Sequence, residues 1–379
     1  MARVVHRVLV AVLAVCIGLS AVARGSEPAP LPTPQDGYFQ AITRVVDGVW
    51  LIAQPQPFQV QPIGNVVVIE QSDGLVLIDG GGSPGAGRRI VELVRSVSDK
   101  PVKAVAITHW HGDHVLGLSA IVQAWPAAEI IATDITDAHL RGRSMKAYPK
   151  GAPDATLQAS FDQRLDGADG FVRDSLAKSD LSAREREGFE AAQRLFAQYR
   201  KDTRDIVLAL PTRTFVDALK LDDATRPVEL RQFGRGNTDG DLVAWLPRQR
   251  VMATGDLLVA PIPFGFNAYP ADWQRTLREM QVMHPAVWLP GHGAAMRGDA
   301  YVSRVIDLIG HTREAVASLV KQGVTLDEAK KRVDVSADRA RFVGDDPWLV
   351  RWFDRYWTQP FTDAAWREAK GEPIEQGEG

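Results

Sequence analysis

The chain has 379 residues, a formal net charge of −3 and a single cysteine. That length can bury a large core. The cysteine count excludes a disulfide framework or a thiolate metal site, and the mild acidity gives no reason to expect nucleic acid as a partner.

In chain order, the first residues carry positive charge at Arg3 and Arg7, and an apolar run extends from Val8 to about Val22. Ala21-Val22-Ala23 supplies the small residues that a leader peptidase reads. The run is short for a transmembrane span and lacks a charged stop-transfer flank. A cleaved secretory signal over residues 1–23 is expected, then a Pro-rich linker over 24–36 and a periplasmic or secreted location. An uncleaved anchor is the alternative. Cys16 follows Val15, which is bulkier than lipoprotein processing prefers, so no lipid is expected. Cleavage would remove Arg3, Arg7 and Cys16, leaving a more acidic chain without cysteine. No later apolar stretch is long enough to cross a membrane, so the expected partner is a small-molecule substrate.

Asn65–Glu70 and Leu75–Asp79 flank Gln71-Ser72-Asp73-Gly74, a hairpin signal with an Asp-Gly turn expected at φ > 0. After Gly80-Gly81-Gly82, a helix through Arg88 to Val97 would bury Ile90, Val91, Val94 and Val97. Val102–Ile107 reads as a strand, Val115–Val122 as the opening of a buried helix, and Ala128–Thr133 as another strand. This alternation predicts a layered α/β domain over residues 37–300. From about 137 to 205 the chain turns polar and helical, with a capping box at Ser182 and Glu185. It would be an insertion, either arching over the site or packing at the periphery. Strands resume at Val228–Phe233, Leu242–Leu246 and Arg250–Ala253; residues 301–379 read as a helical extension, with a second capping box at Thr325 and Glu328.

The segment Thr108-His109-Trp110-His111-Gly112-Asp113-His114 holds three of the eight histidines where a strand ends and a helix begins. On extended backbone, residues i and i+2 point the same way, so His109 and His111 can grip one ion. The turn at Gly112 would let Asp113 and His114 face a second. Imidazole and carboxylate are the ligands zinc takes when no thiolate is offered. Asp79, Gly255-Asp256 and Pro290-Gly291-His292-Gly293 likewise end apolar strands beside glycine.

These four motifs, in this order over roughly residues 37–300, resemble those of the metallo-β-lactamase-fold hydrolase superfamily. The resemblance implies an αββα sandwich with a two-metal site at one edge of the paired sheets. His109 and His111 would then hold the first metal. Asp113, His114 and His292 would hold the second, Asp256 would bridge both, and Asp79 would orient ligands by hydrogen bonding. One or two Zn2+ ions are the implied cofactor. The family usually has a histidine where this chain has Asn237, a weaker ligand or none, so the second site is expected to be the better formed. His139, the other candidate, lies in a helical-looking stretch away from the motifs.

Two adjacent cations lower the pKa of a bound water towards roughly 7, and Asp113 is the expected catalytic residue that orients it and accepts its proton. The function expected is an exported zinc hydrolase of an ester, lactone, thioester, amide, or phosphate or sulfate ester. A β-lactamase proper, an iron-dependent oxidoreductase and a non-catalytic metal-binding member of the same fold are the alternatives. Gly82–Gly87 lacks dinucleotide or P-loop spacing, and neither residues 237–241 nor 134–137 fit a calcium loop. His284 and His311 are expected in helices as surface or packing residues. Phe264, Phe266, Tyr269 and Trp273 would serve the core or a pocket wall.

Overall fold

The computed structural model describes residues 40–54, 63–142, 144–374 and 376. The expected leader and linker lie outside the described residues. Two antiparallel strands, β1 (Ala41–Val46) and β2 (Val49–Ala53), precede the expected hairpin of β3 (Val66–Glu70) and β4 (Leu75–Ile78). Its turn differs from expectation. Gly74 has no left-handed φ, because a four-residue loop closed by Gln71 N donating to Gly74 O (2.9 Å) needs none. The left-handed residue is Asp79 instead, at φ 65°.

Helix α1 (Pro84–Arg95) starts with Pro84 in its first turn and Ser83 accepting from Ala86 N, and it buries Ile90, Val91 and Val94. After β5 (Val102–Ala106) the single expected helix is two, α2 (Gly112–Val115) and α3 (Leu118–Ala124). The chain bends between them at Gly117, where a Cβ would sit 2.1 Å from Gly80 O. Next come β6 (Glu129–Thr133), α4 (Asp134–Arg141), α5 (Ala155–Leu176) and α6 (Ala183–Asp202), the last opened by the Ser182–Glu185 capping box.

Strands β7 (Arg213–Phe215), β8 (Ala218–Leu221), β9 (Val228–Arg231), β10 (Val243–Leu246) and β11 (Val251–Ala253) follow. Helix α7 (Pro270–Val282), β12 (Val287–Leu289) and β13 (Met296–Arg297) complete the sheets. The remainder is helical: α8 (Ala300–Lys321), α9 (Leu326–Arg332), α10 (Ser336–Val343) and α11 (Pro347–Phe353), then a π-helical turn (Asp354–Thr358) and α12 (Gln359–Lys370). The Thr325–Glu328 capping box opens α9.

Among the described residues the strands form two mixed sheets, β1 to β7 in sequence order and β13-β12-β11-β10-β9-β8. Alternate residues of both meet in one core: Val67 and Ile69, Val76 and Ile78, Ala104 and Ala106 from the first, and Leu230, Ala244, Leu246, Ala253 and Leu289 from the second. The opposite parity, Val66, Val68, Leu75, Leu77 and Val105, is buried as well. Sheets buried on both faces need helices outside them, which gives the expected αββα layering. None of the described helices is long and apolar enough to cross a membrane.

Candidate metal centre

Two parallel strand pairs set the site. β4 runs parallel to β5 in one sheet, and β11 to β12 in the other, so each pair delivers its polar C-terminal residues to one edge. Asp79 ends β4, His109 to His114 follow β5, Asp256 lies in a 3-10 turn after β11, and His292 follows β12. Gly255, at φ 52°, lies so close to Thr108 that a Cβ would fall 2.6 Å from its side chain. Gly291 is tighter still, with a Cβ position 2.0 Å from Asp256 Oδ1. Only glycine brings the β11 and β12 turns this close.

The side chains gather into two groups that share Asp256: Asp113, His114, Asp256 and His292, and His109, His111 and Asp256. Within each group the donor atoms lie within 4.8 Å of one another. His292 Nε2 is 3.0 Å from Asp113 Oδ2 and 3.5 Å from Asp256 Oδ1, and His114 Nε2 is 3.2 Å from that same oxygen. His109 Nε2 is 3.8 Å from Asp256 Oδ2.

Asp79 determines how two of the imidazoles are held. Its carboxylate accepts from Thr108 N (2.7 Å), Thr108 Oγ1 (2.7 Å) and His114 Nδ1 (2.8 Å). Thr108 Oγ1, already donating to Asp79, accepts from His109 Nδ1 at 2.9 Å. Both rings thus carry their proton on Nδ1 and turn Nε2 towards the cluster. The atoms left over are those a cation would use. His109 Nε2 and Asp256 Oδ1 are buried without a hydrogen-bond partner, the 3.2 Å approach of His114 to Asp256 lacking hydrogen-bond direction. His114 Nε2 and His292 Nε2 face each other at 3.3 Å, a contact that needs a shared proton or a cation. This donor set fits a metal such as zinc.

Charge divides the groups. Burial, with His114 and then His111 adding to it, holds His109 well below the ordinary imidazole pKa, and burial likewise lowers His111. Burial also opposes charging His114 and His292, but the surrounding carboxylates outweigh it. His114 lies well above the usual range, and His292 is raised to about 9. Burial would raise Asp113 and Asp256, yet the facing histidines hold both below the carboxylate range.

Asn237 is 1% exposed, and neither side-chain amide atom has a partner among the described residues. Orphaning a buried amide costs on the order of 1–3 kcal/mol per group, which marks this position as functional or strained. Its loop is fixed by Leu242 N donating to Thr108 O (2.7 Å) and by Asp241 accepting from Thr238 N and Oγ1. Burial raises the Asp241 carboxyl to about 7 despite those bonds.

His139 is nearer than its sequence position suggested. α4 starts directly after β6, beside β5, so His139 stacks on Trp110 (5.1 Å, 18°). Ser144 Oγ at 2.6 Å and Asp239 Oδ1 at 2.9 Å take both of its ring nitrogens, leaving none for a metal. His311 pairs with Asp338 at the surface, and His284 lies just past α7 rather than within it. Neither joins a ligand group.

A cavity of about 520 Å³ opens on His111, Asp113 and Asp256. Phe161, Leu165 and Tyr199 from α5 and α6, Phe264 and Phe266 from the loop after β11, and Tyr356 from the π-helical turn wall it. The insertion therefore borders the site. Phe264 stacks on Tyr356 (4.8 Å) and leans on His292 (5.2 Å), whereas Trp273 is core and Tyr269 packs under Arg235 (4.3 Å). Sequence reasoning missed Tyr356, which has no motif around it. It also missed Asn65, whose Nδ2 donates to Pro290 O and Gly293 O (both 2.8 Å) and clamps the turn carrying His292.

Fold and site together define a hydrolase built around metal ligands on strand ends. Residues 61–292 match the family model for the metallo-beta-lactamase superfamily, and the chain belongs to that superfamily of metal-dependent hydrolases. It is 24% identical over 307 residues to the linear primary-alkylsulfatase of Pseudomonas sp. (strain ATCC 19151), covering 76% of this chain and 52% of the relative. It is 22% identical over 260 residues to the metallo-beta-lactamase type 2 of Bacillus sp. (strain 170), covering 67% and 76%. The solved structure of the stereoselective inverting sec-alkylsulfatase Pisa1 from Pseudomonas sp. shares the fold at a TM-score of 0.56 and 16% identity, covering 87% of this chain and 50% of that one. The chain thus spans about half the length of the two alkylsulfatases it matches.

Proposed function

We propose that this protein is an exported zinc hydrolase of esters joining an apolar organic group to an acid, with alkyl sulfates as the leading class. The observation that carries the reading is the cavity, whose aromatic and aliphatic walls open directly on His111, Asp113 and Asp256. The alkylsulfatase relative supports sulfate among the acids. Export rests on the charged, apolar and small-residue pattern of residues 1–23.

His109, His111 and Asp256 would hold one ion, and Asp113, His114, His292 and the shared Asp256 the other. Bound there, the ions would supply Lewis acidity and make water available as a nucleophile near neutral pH. The chain's own part is positional and acid–base. Asp79 and Thr108 fix two imidazoles by their Nδ1 atoms. Asp113, held ionised by His114 and His292 and 21% exposed towards the cavity, orients the attacking water and takes its proton. The aromatic walls hold the organic group and displace solvent from around it. One water is consumed, and the alcohol and the acid are released.

Metal analysis combined with a panel of linear alkyl sulfates, p-nitrophenyl esters, a lactone and a cephalosporin tests this. Zinc-dependent turnover of the sulfates or esters is expected to exceed that of the cephalosporin by tenfold or more. The β-lactamase reading, favoured by the Bacillus relative, would replace it if the cephalosporin were the better substrate. Bound iron with no hydrolysis would overturn both.

A further inference from the structure

The cavity wall opposite the ligand residues carries a guanidinium with no obvious structural use. Arg164, on α5, lies over the rings of Tyr148 (5.7 Å) and Phe161 (5.2 Å), and all three line the cavity. No carboxylate pairs with Arg164 among the described residues, although most arginines of the insertion are paired: Arg141 with Asp137, Arg184 with Asp346, and Arg200 with Asp166. Stacking on two rings restricts a planar guanidinium while leaving its N–H donors available. The Tyr148 hydroxyl lies 3.4 Å from where a Cβ on Gly112 would stand, between ligand residues His111 and Asp113. Burial pushes its phenol up, against the pull of Arg164, so it stays protonated and able to donate.

An arginine on an otherwise apolar wall, beside a phenol that reaches the ligand loop, matches the needs of a ligand with a greasy body and an anionic end. We infer that Arg164, with the Tyr148 hydroxyl, recognises a negatively charged group of the substrate, so that this site selects anionic esters over neutral ones of the same chain length. The inference rests on the hydrolase reading above and deepens it. Arg164 and Tyr148 are specificity-determining residues here, and both come from the insertion rather than from the strand ends.

Binding of 1-octanesulfonate and of 1-octanol to the zinc-loaded protein, followed by calorimetry, tests the idea without turnover, because the sulfonate's C–S bond replaces the ester linkage. Arg164→Gln should lower the preference for the sulfonate over the alcohol by about tenfold, and Tyr148→Phe by a few-fold. Arg164→Lys, which keeps the charge but not the planar fork, should fall between wild type and Arg164→Gln. Arg173→Gln, on the same helix and outside the cavity, should keep the preference. An unchanged preference in Arg164→Gln, or equal weakening for sulfonate and alcohol, would overturn the inference even if alkyl sulfates are hydrolysed. Loss of the preference in a protein that turns over no ester would instead overturn the hydrolase reading and leave the recognition intact. Melting of each variant confirms that it is folded.

Discussion

The two ligand groups share Asp256 yet meet a cation in opposite states. His109 and His111 are held neutral by burial, and His109 Nε2 is buried without a partner, so that group is already deprotonated. His114 and His292 are held protonated by Asp113 and Asp256, so theirs is a closed ion-pair network in which protons stand where a metal would bind. Half-sites of similar composition can therefore differ in what limits occupancy. The first lacks a strong third donor, Asn237 being neutral. The second must release protons before it can fill.

Removing the second group should have the largest effect. Asp113→Ala or His114→Ala is expected to lower turnover by at least a thousandfold while the protein stays folded, as assayed on freshly purified, metal-analysed samples. Retained turnover in both would erase the proposed roles. A smaller effect is expected in the first group: Asn237→His should raise the zinc retained there after mild chelation, by about tenfold in affinity. Two equally tight ions in the wild type would remove the proposed asymmetry.

The smallest effect follows from protonation. A histidine whose pKa is raised by folding stabilises the fold fully below its unfolded value of about 6.5, and that stability is lost as pH rises through the folded value. With His292 at about 9, the metal-free protein should melt several degrees lower at pH 9 than at pH 6.5, and zinc should restore the loss. A metal-free melting temperature that rises across this window would contradict the charge assignment of the second group.

The ligand frame was legible in the sequence because each ligand residue sits beside a glycine or in a dense polar cluster just after a β-branched run. The αββα layering followed from the β–α alternation and the motif order. The edge strands escaped notice, since β7 and β8 are short, with no fully buried residue to give the alternating pattern. His139 was misplaced for a different reason. No local pattern shows that α4 starts directly after β6 and returns its fourth polar residue to Trp110. The cavity wall was the least legible part, because Phe161, Tyr199 and Tyr356 look like any aromatic on an amphipathic helix until the chain folds them together.

The π-helical turn at Asp354–Thr358 couples the reading frame of the C-terminal helices to the site. A π turn holds one residue more than an α turn. Deleting one residue there would restore α geometry and rotate one flank against the other by about 100°. Tyr356 would then swing off Phe264, and Phe264 would lose the ring that holds it against His292. An indel far from any ligand would thus be felt at the catalytic edge, so the helices after β13 tolerate substitution more readily than a change in length.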